Sequence, residues 1–207
     1  MRKKTMRLRT LALVLPLSVS LGGCGYNQIQ ALDERTEELK SNVGVELTNR
    51  NQLIPNLVAT VTGAADFERG TFTDVARARG GLLQAQQQMQ RAVQTGDVNQ
   101  MSQADAAVTG QLRGFMLAVE AYPQLRATQN FQGLQDQLAE SENRIGVARR
   151  DYNQSVREYN TYVRQFPTAI TARAIGAERK QPFEAPAGSE QAPTVDFSRT
   201  APAGAAP

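Results

Sequence analysis

Few residues in this sequence could carry chemistry. The 207-residue chain has no histidine and one cysteine, Cys24. Lack of imidazole removes the commonest general base and the commonest metal ligand. It also removes every Ser-His or Cys-His nucleophile pairing. A lone thiol forms no disulfide within the chain. Gly80-Gly81 lacks the flanking pattern of a phosphate-binding loop. Carboxylates are the remaining candidates: Glu140 and Glu142 lie close together, with Arg149 one heptad beyond Glu142. Glu and Asp pairs hold metals inside helical bundles when Glu-x-x-His motifs on two helices join them, which a chain without histidine cannot supply. The sequence therefore predicts no catalytic residue, no metal site and no cofactor, and the chain is expected not to be an enzyme.

Cys24 gains its meaning from the residues before it. Arg2, Lys3, Lys4, Arg7 and Arg9 lead into the apolar run from Leu11 to Leu21, then Gly22 and Gly23. A basic start, a short apolar middle and a small-residue end make a secretory signal. The run is about half of the roughly 20 residues a helix needs to span a bilayer, and Pro16 interrupts it. Leu21-Gly22-Gly23-Cys24 resembles a bacterial lipobox, in which the sulfur accepts a diacylglycerol and cleavage leaves the cysteine first in the chain. Each buried methylene contributes roughly 0.8 kcal/mol, so two or three acyl chains anchor a protein stably. Residues 1–23 are thus read as a lipoprotein signal peptide, Cys24 as the lipidation site and 24–30 as a lipidated tether. The basic start stays in the cytoplasm, which puts the rest of the chain outside it. Gly25, where an inner-membrane retention signal has Asp, favours the outer membrane facing the periplasm in a cell that has one.

The leader also accounts for the charge. The net value is +3, but five of the 23 basic residues and none of the 20 acidic ones lie before Cys24. The chain from Cys24 onward is slightly acidic and gives no basis for nucleic-acid binding. Two polar patterns remain. Arg150, Arg157 and Arg164 recur every seven residues; they make either a partner surface for anionic lipid or an acidic protein, or a solvated helix face beside Asp151 and Glu158. Asn56 beside Pro55, with Asn153 and Asn160, suits side chains that satisfy backbone groups near a helix break. Tyr152, Tyr159 and Tyr162 fit a packed seam whose hydroxyls reach an edge or a polar neighbour.

Long helices must position these residues. Leu32, Leu39, Val43, Leu47, Ile54, Leu57 and Val61 form an apolar stripe at helical spacing. Pro55 lies inside it and is expected to kink the helix or split it in two, with Gly63 as a candidate end. Phe72, Val75, Ala76, Leu82, Leu83, Met89 and Val93 form a second stripe, weakened at Gly80-Gly81. Thr95-Gly96-Asp97 reads as a turn. Val98, Met101, Val108, Leu112, Phe115, Val119 and Tyr122 form a third, stopped by Pro123. Phe131, Leu138, Ile145, Tyr152, Tyr159 and Phe166 recur every seven residues, with Leu134, Ser141, Ala148, Ser155 and Tyr162 as companions. That is a heptad seam ending at Phe166-Pro167. The expected fold is all-α, an antiparallel four-helix bundle of long helices over residues 31–176. Prolines then punctuate an Ala-, Gly- and Ser-rich tail, 177–207, expected to be disordered or to lie extended on the bundle.

Several motifs resemble one family. Asn51-Gln-Leu-Ile-Pro-Asn-Leu-Val-Ala-Thr-Val61 resembles the first-helix motif of the LemA family, and Ala121-Tyr-Pro-Gln-Leu-Arg-Ala-Thr-Gln-Asn-Phe131 its turn before the last long helix. Glu142 through Asn153, and Tyr159-Asn160 through Phe166-Pro167, resemble that helix. Ala192-Pro-Thr-Val-Asp-Phe197 looks like the family's tail. The resemblance spans most of residues 26–197. It implies a four-helix antiparallel bundle without catalytic residues in a membrane-attached protein, one branch being similar to proteins used in magnetosome membrane formation. Typical members start with a transmembrane helix, which the lipobox leader replaces here, and Gly80-Gly81 stands where members usually have Ala-rich helix. The expected function is a membrane-anchored lipoprotein acting as a non-enzymatic interaction or scaffold module of the cell envelope. Its partners would be the membrane, through the lipid, and an envelope protein. The alternative is a carrier or sensor of a small apolar ligand held between helices.

Overall fold

The computed structural model describes the backbone of residues 2–65, 72–120 and 128–184, and the side chains of 25–63, 75–120 and 128–184. Five helices occupy them, with no strand among the described residues: α1 (Arg2–Ala65), α2 (Phe72–Thr95), α3 (Val98–Glu120), α4 (Gln129–Tyr162) and α5 (Thr168–Ala174). The fold is all-α, as the apolar stripes predict.

Pro55 does not split α1, which continues to Ala65. Proline has no N–H to give the carbonyl four residues back, here that of Asn51. The Gln86 side chain supplies the missing donor from α2, with Nε2 3.1 Å from the Asn51 oxygen. Asn51 Nδ2 returns a bond to the Gln86 carbonyl at 3.2 Å. A bond lost within one helix becomes a reciprocal pair between two. Asn56, the residue expected to serve the break, is exposed instead.

Gly80-Gly81 does not interrupt α2 either. Gly81 marks a close approach, since a Cβ there would collide with the Gln111 side chain of α3. The turn falls where expected. Gly96 takes the left-handed conformation (φ 67°), and Asp97 Oδ1 accepts the Gln100 N–H at 2.9 Å to cap α3.

Side-chain pairs fix the directions of the helices. Gly44 lies against Val93 and Asn51 against Gln86, so α2 runs antiparallel to α1. Glu46 meets Arg144 and Arg35 meets Glu158, so α4 is antiparallel to α1 as well. The Gly96 turn comes three residues after Val93, so the α2–α3 hairpin covers only the stretch of α1 beyond about Gly44. Along that stretch a single core forms from Leu47, Ile54 and Leu57 with Leu82, Met89, Val108, Phe115, Phe131 and Ile145. Fully burying such a side chain contributes roughly 1.5–3 kcal/mol. Towards the start of α1 the hairpin is absent. A smaller core of Ile29, Tyr159, Val163 and Ala172 replaces it, with Leu32, Tyr162 and Ala177 packed alongside.

Two boundaries differ from those expected of the sequence. Residues 25–30, read as tether, continue α1, and Ile29 is buried. The heptad seam outruns its helix: α4 ends at Tyr162, so Phe166 falls in the turn beyond it and is 85% exposed. Of the two arrangements expected of the tail, residues 177–184 take the extended one, lying on the helices with Phe183 buried in the main core. The leader side chains including Cys24, the Phe72 side chain, Tyr122-Pro123 and the tail motif Ala192–Phe197 lie outside the described residues.

Candidate functional site

Two charged residues interrupt the apolar stripes from inside. Arg50 sits between Leu47 and Ile54 on α1, and Asp105 between Met101 and Val108 on α3; both are fully buried. A buried charge is tolerated only when paired and hydrogen-bonded. Arg50 Nη2 lies 2.8 Å from Asp105 Oδ1. Its Nη1 donates to Glu142 Oε1 at 2.6 Å and to Thr109 Oγ1 at 3.3 Å. Arg149 of α4 pairs with the other Asp105 oxygen, Oδ2, and its guanidinium stacks 4.8 Å over the Phe183 ring. Burial, then the neighbouring Arg50 charge, lower the Arg149 pKa to about 10, which leaves it charged at neutral pH. Two cations and two anions thus join α1, α3, α4 and the residues beyond α5 in one balanced network. Glu142 belongs to Arg50 rather than to Arg149, and Glu140 pairs with Arg144 on the surface. Among the described residues no cluster of three acidic or cysteine side chains is placed to hold a metal ion.

The second construction is a clamp on the extended segment 177–184, here called the strap. Asn160 accepts the Lys180 N–H at 2.8 Å and donates to its carbonyl at 2.8 Å. One heptad earlier Asn153 does the same for Phe183, at 2.7 and 3.0 Å. The periods match physically. Seven residues of helix advance about 10.5 Å, and three of extended chain about 10 Å. Tyr152 donates its hydroxyl to the Gln181 carbonyl at 2.7 Å, and Ser102 of α3 reaches the Glu184 carbonyl at 3.0 Å. Burial raises the Tyr152 pKa to about 12, so its proton stays available for donation. At the strap's start, Lys180 binds Glu37 at 2.7 Å and Asp33 at 2.9 Å, both on α1, and lies 5.4 Å over the Tyr159 ring. Burial works against the Lys180 charge, but these two carboxylates outweigh it and raise its pKa. Burial likewise acts to raise the Glu37 pKa, and hydrogen bonds from Lys180 and Lys40 reverse the direction and lower it.

Arg150, Arg157 and Arg164 are all exposed, and none forms an ion pair with a described residue. Glu158, expected to balance them, pairs with Arg35 of α1. Cys24 lies in α1, and its neighbour Gly25 is packed: a Cβ there would sit 3.6 Å from Thr168 Cγ2 of α5. Among the described residues no helix is long and apolar enough to cross a membrane. A groove of about 450 Å³ between α1 and α4 is open to solvent and lined by Leu39, Val45, Val147 and the Glu46–Arg144 pair. The buried network and the strap escape a search for reactive residues because neither performs bond chemistry. The signal for the network lies in the stripes: Leu47 and Ile54 are seven apart, and the turn between them holds Arg50 and Asn51.

The profile of the LemA family matches residues 39–197, a span that holds the whole charge network and both asparagine clamps. The chain belongs to the LemA family. It is 28% identical over 180 residues to magnetosome protein MamQ 1 and to magnetosome protein MamQ 2 of Paramagnetospirillum magneticum (strain ATCC 700264 / AMB-1). It is 27% identical over 180 residues to magnetosome protein MamQ of Magnetospirillum gryphiswaldense (strain DSM 6361 / JCM 21280 / NBRC 15271 / MSR-1). Each alignment covers 79% of this LemA-family chain and 66% of the relative, so the chain spans just under two-thirds of those proteins.

Proposed function

We propose that this LemA-family protein is a lipoprotein held on a membrane through Cys24. In this reading it is an antiparallel four-helix bundle that serves as a non-enzymatic interaction or scaffold module of the cell envelope. The observation that carries the reading is the join at Gly25. The residue after the lipobox cysteine already packs against α5, and Ile29 is already in the core. An acyl group on Cys24 would therefore be mounted on a rigid body with almost no intervening chain. That arrangement suits a module that presents a fixed face at a set height above the membrane. The resemblance to magnetosome proteins supports a role at a bacterial membrane. The buried network and strap favour a scaffold over a flexible carrier, because they tie three helices and the C-terminal segment together.

The test is intact-mass analysis of the protein isolated from membranes, beside a Cys24→Ser variant. The wild type is expected to begin at Cys24 with acyl chains attached, and the variant to leave the membrane fraction. An unmodified Cys24 with the leader retained would overturn both the anchor and the extracytoplasmic placement.

A further inference from the structure

The end of the molecule nearest Cys24 carries a surface that the cores do not use. Phe166 is 85% exposed, Ile170 65% and Tyr26 45%. Single exposed apolar residues need no explanation, whereas a cluster of them at one end does. α5 and the turn before it carry two of them, and Tyr26 follows the glycine on which α5 packs. Its Thr168 and Ala172 are buried against the body, while Ile170 and Arg173, between and beyond them, face outward. Thr168 and Thr171 lie against Gly25, so α5 stands level with the first residues after Cys24. Phe166 belongs to the turn that leads into α5 at the same level.

Two arginines at this end have no counter-charge of their own. Arg164 and Arg173 are exposed, and neither is in an ion pair with a described residue. α1 has no acidic residue between Gly25 and Leu32. Its first, Asp33, is engaged by Lys180 at 2.9 Å, which leaves Glu34 and Glu178 as the exposed acids nearby.

We propose that this face beds into the interfacial layer of an anionic phospholipid bilayer. Phe166, Ile170 and Tyr26 would lie at the headgroup–acyl boundary, with Arg164 and Arg173 on lipid phosphates. The proposal rests on the membrane tether proposed above and adds to it a defined orientation. An interfacial element combines an apolar face with basic residues beside it. Arginine suits the second role because its planar fork bonds phosphate oxygens in pairs. Position selects a bilayer over a protein partner. α5 lies within about two helical turns of Cys24 along α1, roughly 10 Å, so a lipid on that cysteine brings the face to the headgroups without any movement of the body.

The chain has no tryptophan, so one substitution creates a single reporter. The full-length protein isolated from membranes would be reconstituted into vesicles of phosphatidylcholine, with or without phosphatidylglycerol. The reporter would be Phe166→Trp or, as a control, Leu117→Trp. Leu117 is exposed near the far end of the body, roughly 55 Å away along α1. Flotation and quenching by brominated lipids would be read in the same samples. Both variants are expected to float. The reporter at 166 is expected to be quenched at least about threefold more than that at 117, as interfacial insertion requires. The excess should be larger with phosphatidylglycerol and shrink when Arg164→Gln and Arg173→Gln are added. Equal quenching at the two sites in floating vesicles overturns the face and leaves the tether standing. Failure to float overturns both. Quenching indifferent to lipid charge overturns the assignment to anionic lipid. A blue shift that grows with protein concentration without vesicles assigns the face to a second copy and also overturns the proposal.

Discussion

At Pro55 a single residue changes how two helices are joined. The proline frees the Asn51 carbonyl, and Gln86 answers it from α2. Gln86→Ala should cost about 1–3 kcal/mol, the range for leaving a buried polar group unpaired. Pro55→Ala restores the N–H within α1 and makes the Gln86 donor redundant. Denaturant unfolding of the two single variants and the double variant should therefore show coupling: the double variant should be at least about 1 kcal/mol more stable than additivity predicts. Additive losses would mean that the Gln86 bond does not answer the proline. Arg50 and Asp105 illustrate a related point. Charges on an apolar stripe look like flaws in a pattern, yet here they meet each other across helices.

At the scale of elements the strap is the segment most open to experiment, because two asparagines hold it by paired bonds and one lysine by charge. Glu37 has its pKa lowered in the fold. Its contribution is therefore present above its unfolded value, about 4.5, and is lost as pH falls through the lower folded value. Lys180 has its pKa raised. Its contribution is complete below about 10.5, the unfolded value, and is lost as pH rises through the higher folded one. Backbone amide exchange at Lys180 should thus stay protected across neutral pH and open in acid, as pH falls through the lowered Glu37 value, ahead of global unfolding. Asn160→Ala should produce the same local opening at neutral pH. Protection that persists in acid would show that the charge clamp is dispensable. Much of the helical layout is legible in the sequence, since stripes at spacings of three, four and seven report directly on burial. The strap is only half legible: proline-rich composition reports weak helix and strand propensity, not whether a nearby helix offers amide side chains at a matching pitch. The end of α4 is hidden for a similar reason. Phe166 keeps the heptad count after Tyr162 has ended the helix, and a periodic count cannot see the stop.

Across the whole molecule, stability should be uneven. Beyond Gly44 four helices share a core, while towards Gly25 α1 and α4 have only α5 and the strap to cover them. A chain ending at Ala177 should keep amide protection around Leu57 and Phe115. It should lose protection around Ile29 and Leu32 by at least about tenfold, as expected when a local unit loses several hydrogen bonds. Uniform loss through both cores would show one cooperative body instead. The end nearest Cys24, on this view, is the less stable end, and contact with a surface is what would add to its support.

The ion pair between Glu37 and Lys180 spans 143 positions of sequence. A ribosome releases residues in order, so α1 exists long before the segment that completes its environment. Until that segment arrives, Asp33 lacks its cation, Glu37 has only Lys40 beside it, the Tyr152 hydroxyl has no carbonyl to bond and the Tyr159 ring lacks its cover. A late stretch of the chain therefore closes an early one. An interrupted or shortened product would expose the unfinished end, and a quality-control protease could tell it from the complete chain by that exposure alone.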